Sequence, residues 1–490
     1  MAGSMPCTRF IRSTTSIVAA TRQISSKSSL QQPTIVATQS PSVTSLSPSS
    51  HSAASAPTSE MSPPKPLSIL PLSAVIRSSM VMSVSSSPIL LKPSLVAMNV
   101  LAHTKSPILS PDSNPFLRFF LKRTFYKQFC AGENAVEVKK TVNGLKGIGF
   151  KGVILGYAKE VVLTASQKAN LESCGESETA ERCIKEEIIP WAKGTLETVR
   201  LADPGDFVAL KFTGAGQQAL YDLSRGTSPS PALKDAIDSI CTLASERGIR
   251  LLFDAEQDSL QAGIDRWTVE YMRRYNKTNG GTAVVYGTYQ AYRKVAPAIV
   301  SSHLAIARKE GFTLGVKLVR GAYLGSDPRH TIHDTKEDTD ACFDGITEAL
   351  IRRSYNSILQ PAEGETEFPP VSAVLACHNL TSVRKAQEIR AAQTQNGEPQ
   401  IDLIYAQLQG MADEVSCELV QTGLNSIGTG SVDVPQAYKY LVWGTTGECM
   451  KYLYRRAQEN KDAVQRTREG RNAMASELMR RMKQSVGLGA

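Results

Sequence analysis

The fold is decided by short apolar runs, of which a clear example is the stretch TLGVKLV at residues 313–319. A run this short and this rich in Val and Leu is typical of a strand buried on both faces. Seven similar runs follow residue 145, the last of them weaker than the others. They lie at residues 152–156, 207–211, 250–254, 282–286, 371–377, 401–405 and 438–443. The sequence therefore predicts eight strands.

Helical patterns separate most of these runs, as at Pro231–Glu246, Ser259–Tyr275 and Leu380–Gln395. Strands that alternate with helices imply a parallel sheet with helical crossovers. About eight repeats in some 300 residues suit a (β/α)8 barrel better than an open sheet. We therefore predict an α/β protein with a TIM-like barrel. The predicted parts are a low-complexity targeting segment at 1–65, a helical arm at 66–145, the barrel at 146–462 and a C-terminal helical tail at 463–490.

The N-terminal segment has the composition of a targeting sequence. The first 59 residues contain no Asp or Glu, carry scattered Arg and are dense in Ser and Thr. This composition is typical of a mitochondrial or plastid transit peptide, although a disordered Ser/Pro-rich tail would look similar. We predict a disordered presequence. Because the chain has no run of 18 apolar residues, a membrane-spanning helix is not expected.

The formal net charge of +9 is unevenly distributed. Residues 1–111 hold eight Lys and Arg against one acid, Glu60, whereas the rest of the chain holds 47 basic and 45 acidic residues. The body of the protein is thus near neutral, which excludes the basic footprint of a nucleic-acid-binding protein. Nine dispersed cysteines without a Cys-x-x-Cys motif indicate reduced thiols and not a disulfide frame or a zinc site.

Polar residues recur where the predicted strands end. Catalytic residues of (β/α)8 barrels lie at the carboxyl ends of the strands. A strand-end Lys or Asp commonly caps a loop, and an Asn after His is often a helix N-cap. Recurrence on strand after strand nevertheless indicates a site. The residues in question are Lys211, Asp254, Tyr289 with Gln290, Lys317 with Arg320, His378 with Asn379, residues 407–411, and Tyr440.

Two adjacent arginines follow the last strand, in the stretch YLYRRAQEN at residues 452–460. Arginine presents a rigid donor fork that matches a carboxylate or phosphate. Arg455 and Arg456, half-surrounded by tyrosines, therefore suit a small anionic substrate, although most such pairs on helices are solvated surface. We place the pair where a helix opens after the last strand, facing Lys211 and Asp254.

Five motifs together resemble one known family. They are FDAE at 253–256, VKLVRGAY at 316–323, CHN at 377–379, LQGM at 408–411 and YRRAQEN at 454–460. This set resembles proline dehydrogenase, the flavin-dependent mitochondrial enzyme of eukaryotes, which is related to the N-terminal half of a bifunctional bacterial proline utilization enzyme. The resemblance runs from about Leu67 to about Met482 and covers only the first of the two bacterial oxidations.

The resemblance implies a reaction and a location. The family oxidises L-proline to Δ1-pyrroline-5-carboxylate with FAD, which is the first step of proline catabolism to glutamate. Electrons then pass from reduced FAD to ubiquinone, so the resemblance implies a mitochondrial matrix protein with peripheral association with the inner membrane. The stretch Pro115–Phe129 is amphipathic and basic, and it suits either a membrane surface or packing against the barrel.

The resemblance also implies residue roles. Arg455, Arg456 and Lys211 would bind the substrate carboxylate, with Asp254 at the same site. The ring wall would comprise Leu318, Ala322, Tyr323, Tyr440 and Tyr452, and the FAD-binding residues would be Gln290, Lys317, Arg320, His378 and Glu459. Lys317 departs from the arginine of the bacterial relatives, keeping the charge but losing the fork. Relatives that prefer hydroxyproline carry a smaller residue in place of Tyr440, so tyrosine here favours proline.

Two other classes of function remain open from the residues. A metal-dependent barrel lyase or hydrolase could use Asp254, Glu256 and His378, although no metal site is predicted. A non-enzymatic membrane-surface protein could be anchored by Pro115–Phe129, with the barrel as a scaffold.

Overall fold

The computed structural model describes residues 66–104, 106–159, 177–277, 282–362, 364, 367–426, 433–462 and 464–487, without the side chains of 88, 177–179, 459–462 and 464–466. The predicted presequence lies outside these residues. Eight parallel strands form a closed barrel in which each strand pairs with the next and the last pairs with the first. They are β1 (Gly152–Tyr157), β2 (Phe207–Leu210), β3 (Arg250–Phe253), β4 (Val285–Gln290), β5 (Leu314–Val319), β6 (Val371–Ala376), β7 (Asp402–Leu408) and β8 (Gln436–Trp443). The predicted barrel is confirmed.

The fourth strand starts later than the sequence indicates. Residues 282–286 were predicted as strand, but β4 begins at Val285. The side chain of Asn276 accepts hydrogen bonds from the backbone N–H groups of Val284 and Val285, and Ser372 Oγ accepts one from Ala283. Side chains thus bind the backbone N–H groups from Ala283 to Val285, and residue pairing with β3 begins at Val285, opposite Leu251.

Helices surround the barrel, and further helices precede β1 and follow β8 in the chain. Pro231–Glu246 is helical as predicted, and the other two predicted helices agree to within a residue at each end. The helices are α1 (Leu72–Ser86), α2 (Pro88–His103), α3 (Pro115–Leu121), α4 (Lys127–Phe129), α5 (Ala135–Gly147), α6 (Ser177–Cys183), α7 (Ile189–Leu201), α8 (Gln217–Arg225), α9 (Pro231–Glu246), α10 (Asp258–Tyr275), α11 (Ala296–Glu310), α12 (Lys336–Arg352), α13 (Leu380–Asn396), α14 (Asp413–Ser426), α15 (Thr446–Asp462) and α16 (Val464–Ser485).

Two apolar cores follow from the alternation of side chains along each strand. On β5, Leu314, Val316 and Leu318 belong to the core between strands and helices. Residues from the inner face of other strands, such as Tyr440, form a second core with α15. Because side chains alternate between the two faces of a strand, Lys317 faces the barrel interior.

The amino end of the barrel is closed by a partly buried arginine. Arg250 Nη1 donates to Asp402 Oδ2 across the barrel at 2.9 Å, and Nη2 donates to the hydroxyl of Tyr438 at 3.1 Å. The guanidinium also lies 3.9 Å from the centre of the Phe207 ring. With this end filled, the carboxyl ends of the strands remain for ligand binding, as in other barrels of this type.

The arm packs against the C-terminal helices and the barrel. Helix α1 lies along α16, and α2 lies against α15. Between α3 and α4 a π-helical turn, Lys122–Tyr126, brings the Tyr126 hydroxyl to the carbonyl of Gly444 at 2.7 Å. One face of Pro115–Phe129 therefore packs on the barrel. No single helix among the described residues is long and apolar enough to cross a membrane, while α1 and α2 pass that test only as a pair bent by 98°.

Candidate active site

Asp254 is the centre of the site. It follows β3 and is 5% exposed. Its Oδ1 accepts a hydrogen bond from Lys317 Nζ at 2.5 Å, and its Oδ2 accepts one from the Tyr440 hydroxyl at 3.0 Å. Lys211 Nζ lies 3.9 Å from Oδ2. The structure thus brings together side chains from the carboxyl ends of β2, β3 and β5 and from β8, as predicted from the strand-end pattern.

Tyr440 is held in its neutral form. Burial raises the pKa of its hydroxyl well above the ordinary value, the charge of Asp254 raises the pKa further, and the nearby Arg455 acts in the opposite direction. Lys317 Nζ also lies 5.2 Å from the centre of the Tyr440 ring, within range of a cation–π interaction. The tyrosine is therefore a fixed hydrogen-bond donor with a flat apolar ring.

The arginine pair lies deeper in its helix than the sequence indicates. Helix α15 begins at Thr446, so Arg455 and Arg456 occupy its third turn and do not open it. Arg456 is 5% exposed, and its guanidinium lies 5.0 Å from the centre of the Tyr452 ring. Tyr440 and Tyr452 belong to one buried cluster, and Arg455 acts on the pKa of Tyr440. The pair thus belongs to the same region as Asp254.

The region is rich in cationic side chains. Lys211, Lys317, Arg455 and Arg456 lie in it together with the carboxylate of Asp254. Cations that cluster in one cleft create a positive local potential, which attracts an anion. The arrangement therefore suits an anionic ligand with an apolar body that contacts the tyrosine rings.

Gln290 and His378 occupy the neighbouring strand ends. Gln290 is 3% exposed, donates to the carbonyl of Glu256 at 3.4 Å and accepts from the backbone N–H of Ala322 at 3.2 Å. His378 Nε2 accepts from the backbone N–H of Leu408 at 3.1 Å, which leaves the proton on Nδ1 in the neutral ring. Both predicted cofactor residues therefore lie at the mouth of the barrel.

Arg320 turns away from Asp254. Its Nε donates to Asp340 Oδ1 at 2.9 Å, and its Nη2 donates to Ser382 Oγ at 2.8 Å. The guanidinium also lies 4.4 Å from the centre of the Phe343 ring. These contacts fasten β5 to helices α12 and α13, so in this structure Arg320 makes an ion pair with a helix. Its predicted role in cofactor binding stays a prediction.

Three other predicted site residues lie apart from Asp254, and the side chain of a fourth is not among those that the structure describes. Leu318 is buried in the core between strands and helices, on the opposite face of β5 from Lys317. Ala322 is exposed and Tyr323 half-buried in the loop after β5. The side chain of Glu459 lies outside the described residues. The roles of all four stay predictions.

Two glutamines and a threonine extend the site beyond the predicted roles. Thr213, in the first turn after Lys211, binds the carboxylate of Glu256 through its backbone N–H at 3.0 Å and through its hydroxyl. Gln407 Nε2 donates to the carbonyl of Cys377 at 3.2 Å. The buried Oε1 of Gln409 has no hydrogen-bond partner among the described residues. The sequence points to the two glutamines only through their position at a strand end, and no sequence feature points to Thr213.

The residues of the metal hypothesis are engaged with other partners. Asp254 binds Lys317 and Tyr440, Glu256 binds Thr213, and His378 Nε2 accepts from a backbone N–H. In the part of the chain that the structure describes, no three His, Cys, Asp or Glu side chains are grouped as metal ligands. The arrangement therefore does not support the metal-dependent alternative.

A closed barrel of eight parallel strands, with cationic side chains clustered at the carboxyl ends of those strands, belongs to the (β/α)8-barrel class, whose enzymes carry their active sites at that end. The profile of the proline dehydrogenase family matches residues 138–469, more than half of the chain. The chain therefore belongs to the proline dehydrogenase family, and it is an oxidoreductase of that class. The resemblance of the five motifs is confirmed.

Curated relatives agree with this assignment, and a solved structure agrees with the fold. The chain is 30% identical over 458 residues to the probable mitochondrial proline dehydrogenase of Schizosaccharomyces pombe, which covers 84% of this chain and 89% of that protein. It is 32% identical over 248 residues to the mitochondrial proline dehydrogenase 1 of Homo sapiens, covering 50% of this chain and 38% of that protein. The crystal structure of proline utilization A from Bdellovibrio bacteriovorus matches with a TM-score of 0.56 and 17% identity, over 79% of this chain and 38% of that one, and shows the fold alone.

Proposed function

We propose that the chain oxidises L-proline to Δ1-pyrroline-5-carboxylate with FAD as its cofactor. The observation that carries the proposal is the cluster in which Asp254 binds Lys317 and Tyr440 beside Lys211 and the arginine-bearing helix. A proline zwitterion offers one carboxylate and a small apolar ring. The carboxylate suits the cationic side chains of the cluster, and the apolar ring suits its tyrosine rings.

The substrate carboxylate would bind Arg455, Arg456 and Lys211. The forked guanidinium groups fix its orientation as well as its charge. Tyr440 and Tyr452 would contact the ring. Because apolar surroundings disfavour a charged amine, they lower the pKa of the ring nitrogen and favour the neutral form from which a hydride can leave.

Tyr440 also suits proline better than hydroxyproline. Its hydroxyl donates to Asp254 Oδ2 at 3.0 Å, which fixes the ring in one position. A fixed ring cannot move aside for an additional hydroxyl group on the substrate, so hydroxyproline would clash with it and bind less tightly than proline.

The residues at the mouth fit the cofactor that the family implies. Lys317, Gln290 and His378 would hold the flavin, and the buried Gln409 Oε1 is an acceptor available to a ligand N–H. The chemistry that a bound FAD supplies is acceptance of a hydride from the carbon next to the ring nitrogen. The side chains of this protein supply orientation and charge. FAD binding by Arg320 and Glu459 is part of the same proposal.

The visible spectrum of the purified full-length protein tests this proposal. We expect flavin absorbance, and we expect anaerobic L-proline to bleach it. A protein without flavin absorbance, or a flavin that proline does not bleach, would overturn the proposal. Activity that instead depends on an added divalent metal would favour the barrel lyase or hydrolase.

We further propose that the protein is mitochondrial and that it passes electrons to ubiquinone at the inner membrane, to which its arm binds peripherally. The relatives from yeast and human are named mitochondrial. The arm supplies an additional argument. Of the 22 large apolar side chains that are exposed among the described residues, 12 lie between Leu72 and Phe120. Exposed apolar surface concentrated in one segment marks an interaction surface.

The charge of the arm suits an anionic bilayer. The arm, residues 66–145, contains nine Lys and Arg and three acids, Asp112, Glu133 and Glu137. The carboxylate of Asp112 accepts from the backbone N–H of Gly447 at 2.9 Å, so it lies at the start of α15. On α3 the rings of Phe116, Phe119 and Phe120 are 87%, 61% and 60% exposed. Aromatic rings beside basic residues favour binding to a lipid interface.

Vesicle sedimentation tests the membrane proposal. We expect the protein to bind vesicles that contain an anionic phospholipid and to bind neutral vesicles weakly. Changing Phe116, Phe119 and Phe120 together to Ser should abolish binding, because it removes the aromatic rings that would enter the lipid interface. The variant should still fold, because these rings are exposed and do not belong to the core. Val136 and Leu324, exposed outside this segment, provide a matched control when changed to Ser. Equal binding by both variants would contradict the proposal.

A further inference from the structure

A chain of hydrogen bonds links the carboxyl ends of four successive strands, β2 to β5, and Glu256 lies in its middle. Glu256 is 2% exposed and lies two residues after Asp254. Its carboxylate accepts the backbone N–H of Thr213 at 3.0 Å and also the Thr213 hydroxyl. Its backbone N–H donates to Gln261 Oε1 at 3.0 Å, which fixes the loop that carries it.

The first half of the chain of bonds fixes the loop that carries Lys211. Thr213 follows Lys211 by two residues in the short turn Phe212–Ala215. The Lys211 carbonyl accepts from Trp191 Nε1 at 3.1 Å, so the backbone is fixed on both sides of the lysine. A buried carboxylate that accepts two hydrogen bonds from one residue restricts that residue more than a single bond would.

The second half reaches the loop after β5. The Glu256 carbonyl accepts from Gln290 Nε2 at 3.4 Å, and Gln290 Oε1 accepts from the backbone N–H of Ala322 at 3.2 Å. Gln290 is 3% exposed, so water cannot readily replace either bond. Ala322, by contrast, is exposed, and its amide depends on this interior partner.

We propose that Glu256 is a positioning residue that couples the loop of Lys211 to Gln290 and to the loop of Ala322. It sets the spacing between the carboxylate-binding side and the cofactor side of the site without contacting the substrate. The inference rests on the proposed function, which assigns the substrate carboxylate to one side and the cofactor to the other. The coupling itself is a property of the protein without ligand.

Hydrogen exchange of the full-length protein, measured without added flavin or proline, tests the coupling directly. Glu256→Ala should speed exchange of the Thr213 amide and also that of the Ala322 amide, about 10-fold or more for each, since local opening exposes both. Asp222→Ala is the matched control. Asp222 is a buried carboxylate that accepts from Ser230 N and Gln218 Nε2, both at 2.9 Å, within α8 and the loop before α9.

The variants separate positioning from a general loss of stability. The proposal would be overturned if Glu256→Ala sped exchange of the Thr213 amide alone. It would also be overturned if Asp222→Ala sped exchange of the Thr213 and Ala322 amides as much as Glu256→Ala does. Glu256→Gln can still accept from the Thr213 amide and should retain most of the protection. If Glu256→Ala does not fold, Thr213→Val removes only the hydroxyl bond and should show the same pattern more weakly.

Kinetics then connects the coupling to the site. In flavin-loaded protein Glu256→Ala should raise the KM for proline about 10-fold and alter the flavin absorbance, with Glu256→Gln close to wild type. Wild-type protein that fails to reduce its flavin would count against the proposed function alone. Unchanged exchange at Ala322 would count against the coupling alone.

Discussion

At the amino end of the barrel Arg250 meets one carboxylate, whereas at the carboxyl end Asp254 meets two lysines beside two arginines. Both groups pack among aromatic rings: Phe207 and Tyr438 at one end, Tyr440 at the other. At the amino end the charge of Arg250 is balanced by Asp402 through a bond of 2.9 Å. At the carboxyl end several cations cluster around Asp254. We infer that the balanced pair serves stability and that the cationic cluster serves binding.

Removing the balanced arginine should have the largest effect. Arg250→Met leaves the partly buried Asp402 without its partner, and an unsatisfied polar group of this kind costs about 1–3 kcal/mol of unfolding free energy. Urea unfolding measures this loss. The surface pair of Arg384 and Glu418 is the control, and Arg384→Met should cost at most about 1 kcal/mol.

The KM for proline of folded Arg250→Met should stay close to that of the wild type, because the amino end does not contact the ligand. An unchanged unfolding free energy would contradict the structural role of the pair. A KM that rises in proportion to the loss of stability would contradict the separation of the two ends.

Removing an arginine of the cationic cluster should do the reverse. Arg455→Met should raise the KM for proline about 10- to 100-fold, the amount expected for losing hydrogen bonds to a charged group, while flavin stays bound. Stability should change little, because the variant also relieves repulsion. Lys451→Met, at an exposed position on the same helix, is the control. A KM within twofold of wild type would show that Arg455 does not bind the carboxylate.

Tyr440 should affect selectivity more than rate. Tyr440→Ser opens space next to Asp254 and should shift the ratio of kcat/KM for hydroxyproline over proline upward by about 10-fold. Tyr440→Phe keeps the ring and removes only the bond to Asp254, so it should retain the preference for proline. If both variants have the wild-type ratio, the ring does not exclude the hydroxyl group.

The barrel and the centre of its site could be predicted because both depend on regular features. Strands buried on both faces give continuous apolar runs, and closure brings strand ends together, which explains Asp254, Lys317 and Tyr440. Features that depend on the choice of a side-chain partner could not be predicted. Examples are the bonds between Asn276 and the start of β4 and the pairing of Arg320 with Asp340. Both require knowing which distant residue lies nearby.

The smallest predicted effect concerns a balanced cluster on the same helix as the arginine pair. At the start of α15 the buried carboxylate of Glu133 accepts from Lys122 Nζ at 2.6 Å, Arg118 Nη2 at 2.8 Å and the backbone N–H of Thr446 at 3.0 Å. Burial acts to raise the pKa of Glu133, but these hydrogen bonds outweigh it and lower that pKa to about 2. If balance signifies stability, Glu133→Gln should weaken folding without changing the KM for proline.

The pH dependence distinguishes this role from simple packing. A carboxylate whose pKa is lower in the folded protein stabilises the fold fully above its ordinary pKa of about 4.5 and loses that contribution as the pH falls towards 2. The difference in Tm between wild type and Glu133→Gln should therefore be greatest near pH 6 and shrink below pH 4.5. A difference that stays constant from pH 6 to pH 3 would mean that Glu133 acts through its shape and not through its charge. In that case the rule that separates the two ends of the barrel would not extend to α15.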